Sequence, residues 1–328
     1  LIVLGIIFSI ALFSSLFIGR YNISPIDIIK MVIGINSRDT TDWRIFYIIR
    51  LPRVLLVTVV GMALSSSGNI FQSMFRNPLV SPNILGVSAG CSFGAALGIV
   101  VAFSFPYSVE ILAFCFGLIA VTISYLISKS SFSSPILLLI LAGIIVSSFF
   151  NALISFLQYI ADPYSELPSI VFWIMGGFFK STWYKFITTS AIIIPILIII
   201  LLLSNKLNIL STGDDEAQSL GLEVNLMRKL FIFLTTVMVS VSVSVSGSIA
   251  WIGLIIPHIS RIIVGSDNRI NIPASMLIGA TVLLISDDIA RTLTASEIPI
   301  GILISFIGAP FFGYLLIKTK IRKGFSET

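Results

Sequence analysis

Three sets of residues in this chain could do chemistry: an acidic segment able to dock a partner, a few charges inside apolar sequence, and a lone histidine with two cysteines. The acidic segment is Asp214, Asp215 and Glu216 within a polar island, Ser204 to Lys229, reading SNKLNILSTGDDEAQSLGLEVNLMRK between two long apolar stretches. Helix–helix connections are usually short, so an acidic, helix-prone island of this length reads as a docking surface for a soluble partner. Asp287 and Arg291 stand four apart on a predicted helix and can pair as acid before base, either as a structural ion pair or as a contact with a partner. His258 follows Pro257 without His, Cys or carboxylate at ligand spacing, so no metal site is expected. Cys91 and Cys115 lie in apolar segments and read as buried small hydrophobes rather than a disulfide framework. No GxxxxGK[ST] loop and no GxSxG elbow occurs, so the chain is not expected to be an enzyme or to hydrolyse nucleotide itself. A gradient-driven carrier usually holds acids mid-span for ion coupling, and these spans are nearly bare of them. The island therefore favours a separate ATPase as the energy source.

The elements that position these residues belong to a membrane protein. The chain of 328 residues is 56% hydrophobic and 11% charged, with mean hydropathy +1.07, whereas soluble domains carry about 25% charged residues. Long unbroken apolar runs exclude a barrel and predict an all-α polytopic fold, because backbone groups in lipid must bond within their own segment. Apolar windows give about ten spans. They are Leu1 to Ile18, Val54 to Phe75, Ile84 to Phe103, Val109 to Ser128, Ile136 to Tyr159, Phe186 to Leu203, Leu230 to Val245, Ile249 to Val264, Met276 to Ala295 and Ile300 to Ile317. The first reads as a span trimmed at its start rather than a signal peptide. Ser24-Pro25 followed by Ile26, Ile28, Ile29, Val32 and Ile33 predicts a short amphipathic helix along the interface. The whole is one transmembrane domain, 1–328, with a first half to about 204, the island at 205–229 and a second half from about 230.

An even number of spans puts both termini on one side, and the basic tail Lys318, Lys320, Arg322, Lys323 predicts that side, with the island, to be cytoplasmic. Arg20, Lys30, Arg38, Arg44, Arg50 and Arg53 then fall outside, against the usual rule, and could face lipid or an acidic partner arriving from outside. Ser67-Gly68-Asn69-Ile70 with Pro78 and Gly86 is matched at the same offsets by Ser246-Gly247-Ser248-Ile249 with Pro257 and Gly265. Five spans separate the copies, which predicts the inverted repeat of many transporters, unless the matches among small residues are chance. Pro78, Pro82 and Pro257 predict breaks or ends of spans. The small residues Gly61, Ala63, Ser65, Ser66, Ser67 and Gly68 predict close helix packing. Ser240, Ser242, Ser244 and Ser246 alternate by two, so some must face protein or a water-filled path. Glu297 and Pro299 read as an N-terminal cap arrangement for the last span.

Four stretches, in order along nearly the whole chain, resemble the FecCD family. They are IRLPRVLLVTVVGMALSSSG at Ile49 to Gly68, RNPLVSPNILGVSAG at Arg76 to Gly90, GLIIPHISRIIVGSDNR at Gly253 to Arg269 and IPIGILISFIGAPFFGYLL at Ile298 to Leu316. The resemblance implies the type II ABC importer permease fold and a subunit pairing with an identical or homologous permease. It also implies two cytoplasmic ABC ATPases that use ATP and Mg, an outer substrate-binding protein and surrounding lipid, with no cofactor bound by this chain and no nucleic acid. By the same resemblance, Asp215, Glu216, Ala217, Gln218, Ser219, Leu220 and Gly221 match the loop that enters the ATPase. Arg50, Arg53 and Arg291 match outer residues that receive acidic knobs of the binding protein, which would account for the outer arginines. Asn77, Pro78 and Leu79, with Ser133 and Ser134 opposite, would form a cytoplasmic gate.

The chain departs from the family pattern at Ala250-Trp251 and at Ser286-Asp287-Asp288, where a second carboxylate stands beside Arg291 and puts that arginine's docking role in doubt. What the resemblance implies is import across the inner, cytoplasmic membrane of a bacterium. The expected cargo is a ferric siderophore, with haem, cobalamin or an oxyanion as alternatives within the family. An ion-coupled secondary carrier is the rival from another class.

Overall fold

The computed structural model describes residues 1–33, 40–102, 105–129, 135–294 and 296–324. Among them it is helical throughout: α1 Ile2–Phe17, α2 Pro25–Ile33, α3 Thr41–Arg44, α4 Leu51–Met74, α5 Val87–Val101, α6 Ser108–Ser128, α7 Pro135–Ile160, α8 Glu166–Met175, α9 Trp183–Leu202, α10 Ser204–Thr212, α11 Asp214–Ser219, α12 Val224–Ser246, α13 Ile252–Val264, α14 Asn268–Thr292 and α15 Ile300–Gly324. A π-helical turn, Ile45–Arg50, joins α3 to α4 without a break, and a 3-10 turn, Pro82–Leu85, precedes α5. Six helical stretches are long and apolar enough to cross a bilayer, and five shorter apolar helices accompany them. Each of the ten windows read from sequence corresponds to one of these helices. The eleventh, α8, falls in none of the windows.

α4 is the hub. Nearly all of its residues from Pro52 to Met74 are buried, and α14, α13, α12 and α9 pack around it. Close approach is made possible by glycine. A Cβ on Gly61 would stand 2.8 Å from the Ala280 backbone, and one on Gly68 would stand 1.8 Å from the Gly253 carbonyl oxygen. Lipid tails are as apolar as the helices, so helix association here rests on van der Waals packing that small residues permit. α5 repeats the device: Gly90, Gly94 and Gly98, four apart, lie against α6 at Phe116, Leu112 and Val109.

Ten residues of helix rise about 15 Å, half the hydrocarbon core. α8 therefore cannot cross. Lys185 at the start of α9 bonds Glu110 at the start of α6 at 2.7 Å, and α7 runs antiparallel to α6. α7 thus ends, and α9 begins, at the same face of the bundle, so the chain between them dips inward through α8 and returns. Such a broken path is tolerated only where its backbone groups are bonded by protein. Here Gly177 N–H donates to the Ser246 carbonyl at 2.7 Å and Ile300 N–H to the Gly176 carbonyl at 2.9 Å.

Pro257 does not end a span. It lies within α13, and the Gly253 carbonyl that loses its donor to the proline ring is the one against which Gly68 packs. The tetrapeptides of the sequence repeat occupy unlike settings: Ser67 to Ile70 is mid-helix in α4, whereas Ser246 to Ile249 leaves α12 through Gly247 at φ +67°. Gly86 and Gly265 share a positive φ, +84° and +85°, just past a helix, but only Gly86, with ψ 5°, is left-handed helical, whereas Gly265 has ψ −172°. The four serines of α12 are all buried. Ser242, Ser244 and Ser246 bond back to their own helix.

Candidate functional site

Two ends of the bundle carry the chemistry-bearing residues, and they differ in kind. At one end, α10 and α11 form the polar island. Leu207, Leu210 and Ala217 are buried in the main core, while Asp215, Glu216, Gln218, Ser219 and Leu220 are exposed. The leucine-glycine pair has a specific backbone role. Gly221 adopts φ +80°, its N–H donates to the Gln218 carbonyl, and Leu222 N–H donates to the Ala217 carbonyl, both at 2.9 Å. This is the Schellman arrangement that terminates a helix and requires a left-handed residue. Asp214 accepts from Arg228 Nη2 at 2.7 and 3.0 Å, tying the start of α11 to α12. The result is a short acidic knob held at both of its ends.

The turn after α4 lies beside this knob. Asn77 Oδ1 accepts from Leu79 N–H at 2.9 Å, folding Asn77, Pro78 and Leu79 into a tight exposed turn. Arg76 precedes it at φ +50°. A Cβ on Gly213, between α10 and α11, would stand 2.2 Å from Glu216 Oε2 and 3.3 Å from Arg76 Nη1. The structure thus brings the Arg76 guanidinium to Gly213, at the start of the acidic knob, a proximity that the sequence does not display. Ser133 and Ser134 lie outside the described residues.

Behind the knob is a buried amide cluster that the sequence reading missed. Asn69 Oδ1 accepts from Asn271 Nδ2 at 3.1 Å, Ser260 Oγ donates to Asn271 Oδ1 at 2.6 Å, and Ser73 Oγ donates to Asn268 Oδ1 at 3.0 Å. Asn208 of α10 joins it, accepting from Asn268 N–H at 2.8 Å and donating to Asp267 Oδ1 at 2.7 Å. Hydrogen bonds from Arg269 and Asn208 hold the Asp267 carboxyl well below the usual carboxylate range. The cluster fastens α10 to α4, α13 and α14. Its signal was present: asparagines inside apolar spans are expensive unless bonded, and so point to one another.

At the opposite end stand the three arginines expected to receive an external partner. Their surroundings revise that expectation, since none presents a free guanidinium at the surface. Arg50 is 4% exposed and donates to the carbonyls of Leu16, Phe17 and Tyr21 at 3.0, 3.2 and 2.8 Å, capping the C-terminus of α1. Arg53 is 6% exposed and bidentate to Asp287, Nε to Oδ2 at 3.0 Å and Nη2 to Oδ1 at 2.8 Å, with Nη1 to Glu297 Oε1 at 3.0 Å. Arg291 donates to Asp288 and, at 2.6 Å, to the Ser15 carbonyl. The Asp287–Arg291 pair read from spacing is present, but as the longer contact of each group. Those groups stand 3.8 Å apart, and each has a nearer partner. Glu297 likewise turns to Arg53 rather than capping the last span. The extra carboxylate, Asp288, is what draws Arg291 toward α1 through Ser15.

Between α8, the segment after α12 and α15 lies an open cavity of about 510 Å³ lined by Met175, Ser248, Ala250, Gly301, Ser305 and Phe306. It holds hydroxyls and apolar groups and no charge. Among the described residues no cluster of His, Cys, Asp or Glu could hold a metal ion.

A helical bundle with broken spans, an exposed acidic knob at one end and an uncharged cavity is the architecture of a membrane permease. The FecCD transport family model matches residues 7–318, and the chain belongs to that family. It is 42% identical over 319 residues to the molybdate import system permease MolB of Haemophilus influenzae, covering 95% of this chain and 93% of that one. It is 36% identical to the hemin transport permease HmuU of Yersinia pestis, over 96% of each. A solved structure described provisionally as a metal-chelate type ABC transporter, inward-facing, superposes with TM-score 0.86 at 42% identity, covering 96% of this chain and 97% of that chain. The protein is accordingly a multi-pass inner-membrane permease of the ABC importer class, a transport subunit whose ATPase is carried by partner chains.

Proposed function

We propose that this chain forms, with a second permease copy or sister, the path by which a ferric siderophore is imported. Two ATPases engage Asp215 to Gly221, and an external binding protein delivers cargo at the arginine end. The observation that carries the coupling assignment is the acidic knob itself: six exposed or anchoring residues on a Schellman-terminated helix, with the Arg76 side chain, next before the Asn77 to Leu79 turn, reaching Gly213 at its start. Motion of the knob is passed to that turn, which serves as the inner gate. The cavity beside α8 and α15, without charges, suits weak transient contacts with a bulky neutral or chelated cargo. The metal-chelate description of a structural neighbour supports the siderophore reading.

A second reading, molybdate, is favoured by the 42% identity to MolB over almost the full length. Uptake of ⁵⁵Fe-siderophore and of ⁹⁹Mo-molybdate into vesicles holding the assembled importer separates the two. Iron uptake that excess molybdate does not compete supports the first, and the reverse pattern supports the second. Within either, Glu216→Arg should reduce ATP-dependent uptake to background while the permease still assembles. Uptake that persists with ATP depleted and an ion gradient held would instead indicate a secondary carrier.

The Schellman turn yields a separate expectation. Gly221→Val places a β-branched residue in the left-handed region, which costs at least about 1–2 kcal/mol for any side chain. Faster amide exchange confined to α11, with the melting temperature of the bundle unchanged, is the expected result. Unchanged exchange would count against the role given to this glycine.

A further inference from the structure

On the outer surface, α6 and α12 run antiparallel and leave a groove of about 330 Å³ that none of the preceding roles uses. From α6 it is lined by Leu118, Val121, Thr122 and Tyr125, and from α12 by Lys229, Ile232, Phe233 and Thr236. Both sets follow the three-and-four spacing of a single helix face. Lys129, four residues beyond Tyr125, extends the α6 stripe at the end where Lys229 stands. Lys129 and Lys229 are both exposed and neither has a carboxylate within ion-pair distance among the described residues. Deeper in the groove, Thr236 Oγ1 is buried, with its residue 3% exposed, and has no hydrogen-bond partner.

We propose that this groove binds one anionic phospholipid of the leaflet on the α11 side, the phosphodiester at Lys129 and Lys229 and an acyl chain along Val121, Ile232 and Phe233. The order of chemistry along the groove matches that of the molecule. Two unpaired cations and a phenol lie at the membrane surface, where anionic headgroups attract lysine, and an apolar channel runs below them toward the bilayer centre. Lysines near helix ends reach to the headgroup level with their stems along apolar surface. The unpartnered Thr236 hydroxyl supplies one donor inside a channel that is otherwise apolar. Residence of lipid there would brace α12 just beyond Arg228, the residue that holds the acidic knob.

The test uses the intact chain purified in detergent and exposed to an equal mixture of dioleoyl phosphatidylglycerol and dioleoyl phosphatidylcholine, read by native mass spectrometry. One phosphatidylglycerol per chain should be retained over phosphatidylcholine by about thirtyfold, the product expected of two surface lysines acting on an anionic lipid. The double variant Lys129→Ala/Lys229→Ala should lose that preference. Thr122→Trp, which fills the groove and keeps both lysines, should lose the bound lipid. Equal retention of both lipids by the wild-type chain overturns the proposal. So does a preference that survives either variant, or cross-linking that places a second copy of the chain on this face. Should the double variant fail to fold, the wild-type preference and Thr122→Trp decide the matter.

Discussion

Asp287→Ala should destabilise this protein more than any other single charge removal. The carboxylate is 0% exposed and accepts three hydrogen bonds from Arg53, whose guanidinium is itself buried. Removing one partner of a buried pair leaves the other charge uncompensated and costs about 3–5 kcal/mol. Here Glu297 still faces Arg53 and Arg291 keeps Asp288, which places the loss toward the lower end of that range. The apolar double variant Arg53→Met/Asp287→Leu should recover most of the loss, since replacing both members of a buried pair is often neutral. Thermal unfolding in detergent, followed by size-exclusion fluorescence, checks both. If Asp287→Ala melted like the wild type, the ion cluster would be incidental rather than the fastener of α4 to α14. The same variants bear on function. An external acidic group can reach Arg53 only by displacing Asp287 or Glu297, so binding-protein stimulation of the ATPase should change in variants that still fold.

Gly68→Ala should be the most damaging change of a single methyl. The added carbon would stand 1.8 Å from the Gly253 carbonyl oxygen, 2.5 Å from its carbon and 2.7 Å from its Cα. All three are backbone atoms, so no side-chain rotation relieves the clash, and α4 and α13 must separate by more than 1 Å, roughly the shortfall from an ordinary contact near 3.5 Å. Overpacking of a tight core commonly costs about 1–3 kcal/mol and occasionally more. This case belongs at the upper end, because the separation also pulls Gln72 from the Leu254 carbonyl and Asn69 from Arg261, both bonds between α4 and α13. Gly5→Ala in α1 is the matched control, since a Cβ there meets nothing within 4 Å. Loss of monodisperse protein with Gly68→Ala but not with Gly5→Ala is the expected outcome. Equal behaviour of the two would mean that α13 is not held against α4 as described.

Much of this fold could be read from the chain because a membrane imposes a single strong rule. Apolar windows located every long helix, and Ser24-Pro25 correctly announced α2, whose Asp27 and Ile28 N–H groups bond the Ser24 carbonyl. α8 escaped because a helix of ten residues satisfies no spanning window, and its inward dip depends on bonds to Ser246 and Ile300 that lie far along the sequence. The acidic knob was equally visible, since charge in a long connection has no structural excuse. Its backbone lock, Gly221 in the left-handed region, follows from the leucine-glycine pair only once the helix end is placed.

Charge pairing is where spacing alone found a real but lesser contact. Asp287 and Arg291 satisfy the four-residue rule, yet a local rule ranks only local partners. Arg53, 234 positions from Asp287, offers a bidentate geometry that a neighbour on the same helix does not. Pro257, by contrast, misled. A helix interior usually rejects proline, but here the carbonyl it orphans packs against Gly68 of another helix. By itself, then, the sequence determined the solvent, the number and place of the long helices, the family, and the exposed acidic segment, all of which depend on composition and local pattern. Only the tertiary structure decided which arginine meets which carboxylate, that Arg76 reaches the start of the acidic knob, and that asparagines of three helices meet in one cluster. Those outcomes depend on distances between segments far apart in the chain, which hydropathy and short-range spacing do not encode.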